Sequence, residues 1–197
     1  MRSPVAALAV AVVVAVGLAG CAKAPPPDFY MFDPGIREEQ LPGFARGVAI
    51  GVGPIEVPKH LDRNQIVTRE TETKLGLADR VQWAEPVRDG IARVVAVNLA
   101  VELDTNRVFI LPQRQRRKLD FRVNVFSGRL DGALGTQVVL GARWTISSGD
   151  GKKLLHSQVS RVVEPTAGEG FDAYVSAQSR ALAIMSREIA GALKGMI

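Results

Sequence analysis

The sequence predicts an α/β protein, a two-layer sandwich in which two main helices pack on a mixed, mostly antiparallel sheet. Alternating apolar residues indicate three long strands between positions 119 and 163, and two further segments have apolar residues at helical spacing. The hydrophobic content of 47% is that of an ordinary globular protein. Residues 28–197 are therefore predicted to form a single domain, since about 170 residues are enough for one sizeable core.

The first 20 residues are predicted to be a lipoprotein signal peptide. After Arg2, an apolar run of about 15 residues is shorter than the roughly 20 residues that a membrane-spanning helix needs. The run ends in Leu18-Ala19-Gly20-Cys21, where an apolar residue and two small residues precede the only cysteine of the chain. We expect cleavage before Cys21 and lipidation of its thiol. A plain signal peptide or a short anchor helix is the alternative.

Residues 21–27 are predicted to be a lipidated, proline-rich tether. Pro25, Pro26 and Pro27 favour an extended spacer without backbone hydrogen bonds. One fatty chain binds a membrane only marginally, whereas two or three hold a protein stably. Lipoproteins with Asp after the lipidated cysteine tend to stay at the inner membrane. Here that residue is Ala22, so we expect the periplasmic face of the outer membrane, with the inner membrane as the alternative.

Short strand signals separated by loops fill the first half of the domain. We expect strands over 29–32, 46–55 and 65–69, with a polar loop up to Pro42, while 71–81 allows one further short strand.

The strand predicted over 46–55 has one face of small residues, Ala49, Gly51 and Gly53. We expect this face to lie close under a helix. The segment Gly51-Val52-Gly53 does not match a nucleotide-binding loop, because the third glycine is missing and prolines follow where the helix should begin.

Two helices and an antiparallel meander complete the predicted domain. The first helix spans 86–103 with Pro86 at its first helical position, and its apolar stripe consists of Val87, Ile91, Val94, Val95 and Leu99. Strands over 119–125, 137–146 and 153–163 follow, and Ser148-Gly149-Asp150-Gly151 is typical of a hairpin turn between the last two. The closing helix spans 171–193.

Composition and spacing argue against several classes of function. The net charge is +5, and one of the positive charges, Arg2, lies in the export segment. Aromatic residues make up only 6% of the chain, so the pattern does not indicate nucleic-acid binding. His60 and His156 lie far apart and form no metal-binding spacing. No Gly-x-Ser-x-Gly motif is present. We therefore expect no metal, no cofactor and no enzymatic activity.

The densest basic cluster contains Arg114, Arg116 and Arg117. One interpretation is a solvated strand entry. The other is contact with acidic lipid headgroups or with an acidic partner surface.

A second group of candidate contact residues surrounds the start of the first helix. Trp83 is predicted to be a core residue, and Glu85 is predicted to cap the helix and to complement its dipole. Arg63 and Arg69 precede them; one interpretation pairs one of these arginines with Glu85 or Asp62, and the other has them face a partner.

Several segments, in order, resemble the ABC-type transport auxiliary lipoprotein family, the PqiC/YmbA group. The segments that carry the resemblance are Val52-Gly53-Pro54, Leu61-Asp62-Arg63, Gln65-Ile66-Val67-Thr68-Arg69, Trp83-Ala84-Glu85-Pro86, Val139-Leu140-Gly141-Ala142-Arg143-Trp144 and the final helix.

The resemblance implies a non-enzymatic accessory protein that works beside an MCE-domain protein and inner-membrane transport components, and that docks the assembly at the outer membrane. The oligomeric state, including a homo-oligomer, stays open. The alternative is a periplasmic lipoprotein that itself binds a lipid or small ligand, which needs a sizeable apolar cavity. An enzyme would need a cleft with converging serine, histidine and carboxylate groups.

Overall fold

The computed structural model describes residues 25–35, 48–112 and 118–197, which form eight strands and two helices. Within these ranges no helix combines the length and apolar content needed to span a membrane. The predicted α/β class is confirmed. In chain order the elements are β1 (Asp28–Tyr30), β2 (Ile50–Glu56), β3 (Gln65–Arg69), β4 (Leu75–Trp83), α1 (Val87–Glu102), β5 (Val108–Ile110), β6 (Phe121–Ala133), β7 (Gln137–Ser148), β8 (Leu154–Pro165) and α2 (Phe171–Lys194).

The strands divide between two sheets. The smaller has the order β1-β4-β3, and the larger has the order β5-β2-β6-β7-β8. The longest pairings, β6 with β7 and β7 with β8, are antiparallel, whereas β2 runs parallel to both of its neighbours. Alternation in a sequence shows which face of a strand is buried but not which strand lies beside it, so the division into two sheets was not predicted.

Most predicted strands are confirmed with shifted ends. The strand over 65–69 has the predicted bounds, the ambiguous segment over 71–81 becomes the nine-residue β4, and the beginning of the strand predicted at 46 lies outside the described residues. Strand β5 was missed because its three residues are too few for an alternating pattern.

The prediction for the small face of β2 is wrong. A Cβ atom added at Gly51 would lie 2.7 Å from Leu119 and 2.9 Å from Leu111. The small residues therefore lie under two leucines of the connection between β5 and β6. Helix α1 packs instead against the opposite face of β2, where Ile50 and Val52 are fully buried.

Helix α1 begins one residue later than predicted. Pro86 is the N-cap rather than the first helical residue, and its carbonyl accepts hydrogen bonds from the N–H groups of Asp89 and Gly90. The predicted apolar stripe is confirmed, because all five of its residues are buried. Helix α2 begins at Phe171 as predicted and ends one residue later, at Lys194.

The two faces of the five-stranded sheet differ sharply. We call the side that faces α1 and α2 the covered face, and the opposite side the open face. The covered-face residues of β7 are at most 2% exposed: Val138, Leu140, Ala142, Trp144 and Ile146. On the open face, β6, β7 and β8 carry exposed side chains. These are Phe126 of β6, Arg143 of β7, and Val159, Arg161 and Val163 of β8.

Candidate partner-contact site

Several of the predicted site residues lie outside the described residues. These are the lipidation site Cys21, the residues before it, Leu18, Ala19 and Gly20, and the basic residues Arg114, Arg116 and Arg117. Lipidation, cleavage and the basic contact remain predictions for these positions.

The fold brings together two of the segments that carried the resemblance. The N–H of Trp83 donates to the carbonyl of Asn64 at 2.7 Å, which joins the end of β4 to the loop that follows Leu61. The next N–H, of Ala84, donates to the carbonyl of Tyr30 at 2.8 Å. The loop, β1 and the start of α1 therefore meet at one end of the small sheet.

Trp83 anchors this junction from inside. The residue is 8% exposed, and its ring lies 4.4 Å from the ring of Phe32, centroid to centroid, with a tilt of 42°. This geometry is a favourable aromatic contact. The prediction that Trp83 is a core residue is confirmed, and the side chain offers little surface to a partner.

Glu85 does not cap α1, so that prediction is wrong. Its carboxylate accepts hydrogen bonds from Arg93 at 2.6 and 3.1 Å, and Arg93 also donates to the carbonyl of Phe32 at 2.8 Å. Because Pro86 holds the cap position, Glu85 lies one residue before it and reaches two turns along the helix instead. The contact ties the helix to the segment that follows β1.

The interpretation that pairs Arg63 or Arg69 with Asp62 or Glu85 is also wrong. Asp62 binds Arg88, and both acidic residues are thus paired with arginines of α1. Arg63 is exposed in the loop and forms no ion pair within the described part of the chain, so it is free to contact a partner.

Arg69 instead forms a buried charge cluster with β6. Its Nε and Nη2 atoms each donate to one carboxylate oxygen of Asp131 at 2.8 Å, and Arg129 donates to the same carboxylate at 3.0 Å. Asp131 is fully buried. The hydrogen bond to Asp131 raises the pKa of Arg69, which keeps this guanidinium charged. Nothing in the sequence marked Asp131, because its partners are 62 and two residues away.

Tyr174 completes the joint between the two sheets. Its hydroxyl donates to the carbonyl of Val67 at 2.9 Å and accepts from the N–H of Gly132 at 2.8 Å. Burial raises the pKa of this hydroxyl well above its usual range. The side chain is thus a neutral connector between β3, β6 and α2.

Two cavities adjoin these elements, and both are small. One, of about 10 Å³, lies beneath Trp83 and beside Gln178, and could hold about one water molecule. The other, of about 180 Å³, lies between the helices near Asn98 and Arg187. Pockets for drug-sized ligands usually measure about 300–1,000 Å³. Both of these cavities are below that range.

The comparisons with known proteins agree with this fold. The family described as "ABC-type transport auxiliary lipoprotein component" matches residues 30–190. A crystal structure of an uncharacterized protein has a TM-score of 0.69 at 17% identity and covers 86% of this chain and 99% of its own. A protein of Xanthomonas campestris assigned to the family DUF330 has a TM-score of 0.62 at 16% identity, with the same coverage. No curated protein matches the chain.

Proposed function

The chain belongs to the ABC-type transport auxiliary lipoprotein family, and we propose that it is the lipid-anchored docking subunit of an MCE-type, Pqi-like system that moves lipids between the two membranes. In this proposal the subunit is non-catalytic and lies on the periplasmic face of the outer membrane. Its partners are an MCE-domain protein and inner-membrane transport components. The observation that carries the proposal is the family match over residues 30–190, which follows the predicted lipidation site at Cys21.

The ion pairs formed by the acidic side chains of the junction support a docking role. The acidic side chains of the junction are bound to arginines in pairs that hold elements together: Glu85 to Arg93, Asp62 to Arg88, and Asp131 to Arg69. General acid–base catalysis needs a group that can exchange protons with a substrate in a cleft. These groups serve the fold instead, which leaves exposed surface as the means of contact.

The two cavities described above favour docking over the alternative, a lipoprotein that binds a lipid or small ligand itself. A lipid-sized occupant needs a large apolar space. The cavity beneath Trp83 is far below that size, and the cleft near Asn98 is lined by polar residues, including Glu102 and Arg187, as well as apolar ones.

Replacement of Cys21 tests the anchor and the partner together. We expect the Cys21→Ser protein to leave the membrane fraction, because no thiol remains to be acylated. In a second experiment, affinity purification of the wild-type chain from detergent-solubilised membranes should recover an MCE-domain protein. Fractionation and mass spectrometry read out both results. Membrane attachment of the Cys21→Ser protein would contradict the anchor, and wild-type preparations without an MCE-domain protein would contradict the docking role.

Ala22→Asp is the matched variant for the choice of membrane. It keeps the cysteine and should keep lipidation, but should retain the protein in the inner-membrane fraction of a density gradient. A wild-type protein that already fractionates with the inner membrane would contradict the outer-membrane assignment.

A further inference from the structure

We propose that the free edge of β8 is the docking edge, and that an extended segment of the partner, with an acidic residue between two apolar ones, adds there as a sixth strand. This inference rests on the proposed docking function and names the surface that performs it. Edge strands present unpaired backbone groups, and partners commonly use them by strand addition.

Strand β8 is the exception among the sheet edges of the described residues. It has 12 residues and pairs only with β7, whereas the other edge strands, β5, β1 and β3, have three, three and five residues. Native proteins protect long edges with proline, lysine or a covering element. The only proline of β8 is its last residue, Pro165, and the strand contains no lysine. Among the described residues, β8 is therefore the one long edge that remains available for pairing.

The side chains beside that edge are apolar and basic. On the open face, Val159 is 63% exposed and Val163 is 49% exposed, and Arg161 lies between them. In register with Val159 across the sheet are Arg143 of β7 and then Phe126 of β6. Cross-strand neighbours of this kind determine which side chains an added strand can carry.

Charge decides what the added strand must supply. Arg143 and Arg161 have no ion pair within the described ranges, and the acidic residue of β8, Glu164, lies on the covered side, where it accepts from Arg180 at 3.0 Å. A second copy of this chain pairing through β8 would bring no carboxylate to the open face. A partner strand with a carboxylate opposite Arg161 and apolar residues opposite Val159 and Val163 is complementary in both charge and hydrophobicity.

Photo-crosslinking in cells tests the edge directly. A benzoylphenylalanine placed at the exposed, open-face position Ser157 of the full-length lipoprotein should crosslink to the MCE-domain protein. The same probe at Arg187, exposed on α2, should not. Crosslinks from Ser157 to a second copy of the chain or to lipid would overturn the inference.

The outcome separates this inference from the docking function. If the wild-type chain recovers the MCE-domain protein but Ser157 does not crosslink to it, the edge assignment is wrong and the docking function stands. If neither experiment finds that protein, both are wrong.

Charge reversal measures the contribution of the arginine. Arg161→Glu should reduce recovery of the MCE-domain protein at least tenfold, because the new carboxylate on β8 would then face the carboxylate of the added strand. Arg187→Glu makes the same change on α2 and should leave recovery within twofold. Circular dichroism checks that both variants are folded. Equal recovery from the two folded variants would overturn the charge pattern.

Discussion

The covered and open faces of the five-stranded sheet are built on the same strands but carry different kinds of side chain. On β7, Trp144 on the covered face is fully buried, while its neighbour Arg143 on the open face is exposed. On β8, Val162 is buried and Val163 is half exposed. The period of two places adjacent residues in opposite environments.

The difference shows that the covered face contributes most of the stability, whereas the open face is accessible to a partner. Two helices pack on the covered face. There the indole N–H of Trp144 donates to Ser160 at 2.8 Å, and Ser160 in turn donates to Glu188 of α2. Burial of a large apolar side chain contributes about 1.5–3 kcal/mol. The open face has no helix on it among the described residues, so its exposed apolar groups gain little from folding.

Removal of the largest covered-face side chain should have the largest effect. We expect Trp144→Ala to lower the free energy of unfolding by about 3–5 kcal/mol, because it creates a cavity under α2 and leaves Ser160 without its donor. Chemical denaturation measures the change. Phe126→Ala on the open face is the control and should cost less than about 1 kcal/mol. Similar losses in the two variants would mean that the open face is covered in the folded protein.

The second largest effect concerns the ion pair by which the small sheet covers one end of the open face. Asp131 is on the open side of β6 but is buried, because Arg69 reaches it from the small sheet. Asp131→Asn should lower the free energy of unfolding by about 3 kcal/mol, since two guanidinium groups would lose their carboxylate. Asp79→Asn, on the exposed part of β4, should change it by less than about 0.5 kcal/mol. An unchanged stability of the first variant would show that the cluster does not join the two sheets.

The smallest and most closely matched test uses neighbouring valines of β8. Val162→Ala should cost about 1–2 kcal/mol, because it removes two methyl groups from the buried face. Val163→Ala removes the same atoms from the open face and should cost less than about 0.5 kcal/mol. Thermal unfolding of the two single variants compares them directly. A larger loss for Val163→Ala would reverse the assignment of the two faces.

Much of the fold was predictable because it follows local periodicity. The stripe of α1 from Val87 to Leu99, the alternation of β6 to β8 and the turn at Ser148–Gly151 all repeat within a few residues. The turn closes with hydrogen bonds from Ser148 to Lys153 and from Gly151 to Ser148, and Gly151 has a φ of +77°. Such signals need no knowledge of distant residues.

The candidate site was less predictable, because its contacts depend on direction and distance in space. Glu85 is an acidic residue beside the start of α1, which suggested a cap, yet it binds Arg93. Arg69 had two nearby acidic candidates, yet it binds Asp131 across 62 positions. Long arginine side chains reach several acceptors, so the backbone path decides which one they meet.

The sequence alone determined the periodic content of this chain: which strand faces are apolar, where the two helices lie, and that a lone cysteine follows an export-like segment. Tertiary structure decided the rest: that the strands form two sheets, that α1 and α2 cover the same face of the larger one, and that β8 is its long free edge among the described residues. The physical reason is that alternation and helical spacing are properties of consecutive residues. Strand order, ion-pair choice and coverage depend instead on which distant surfaces meet.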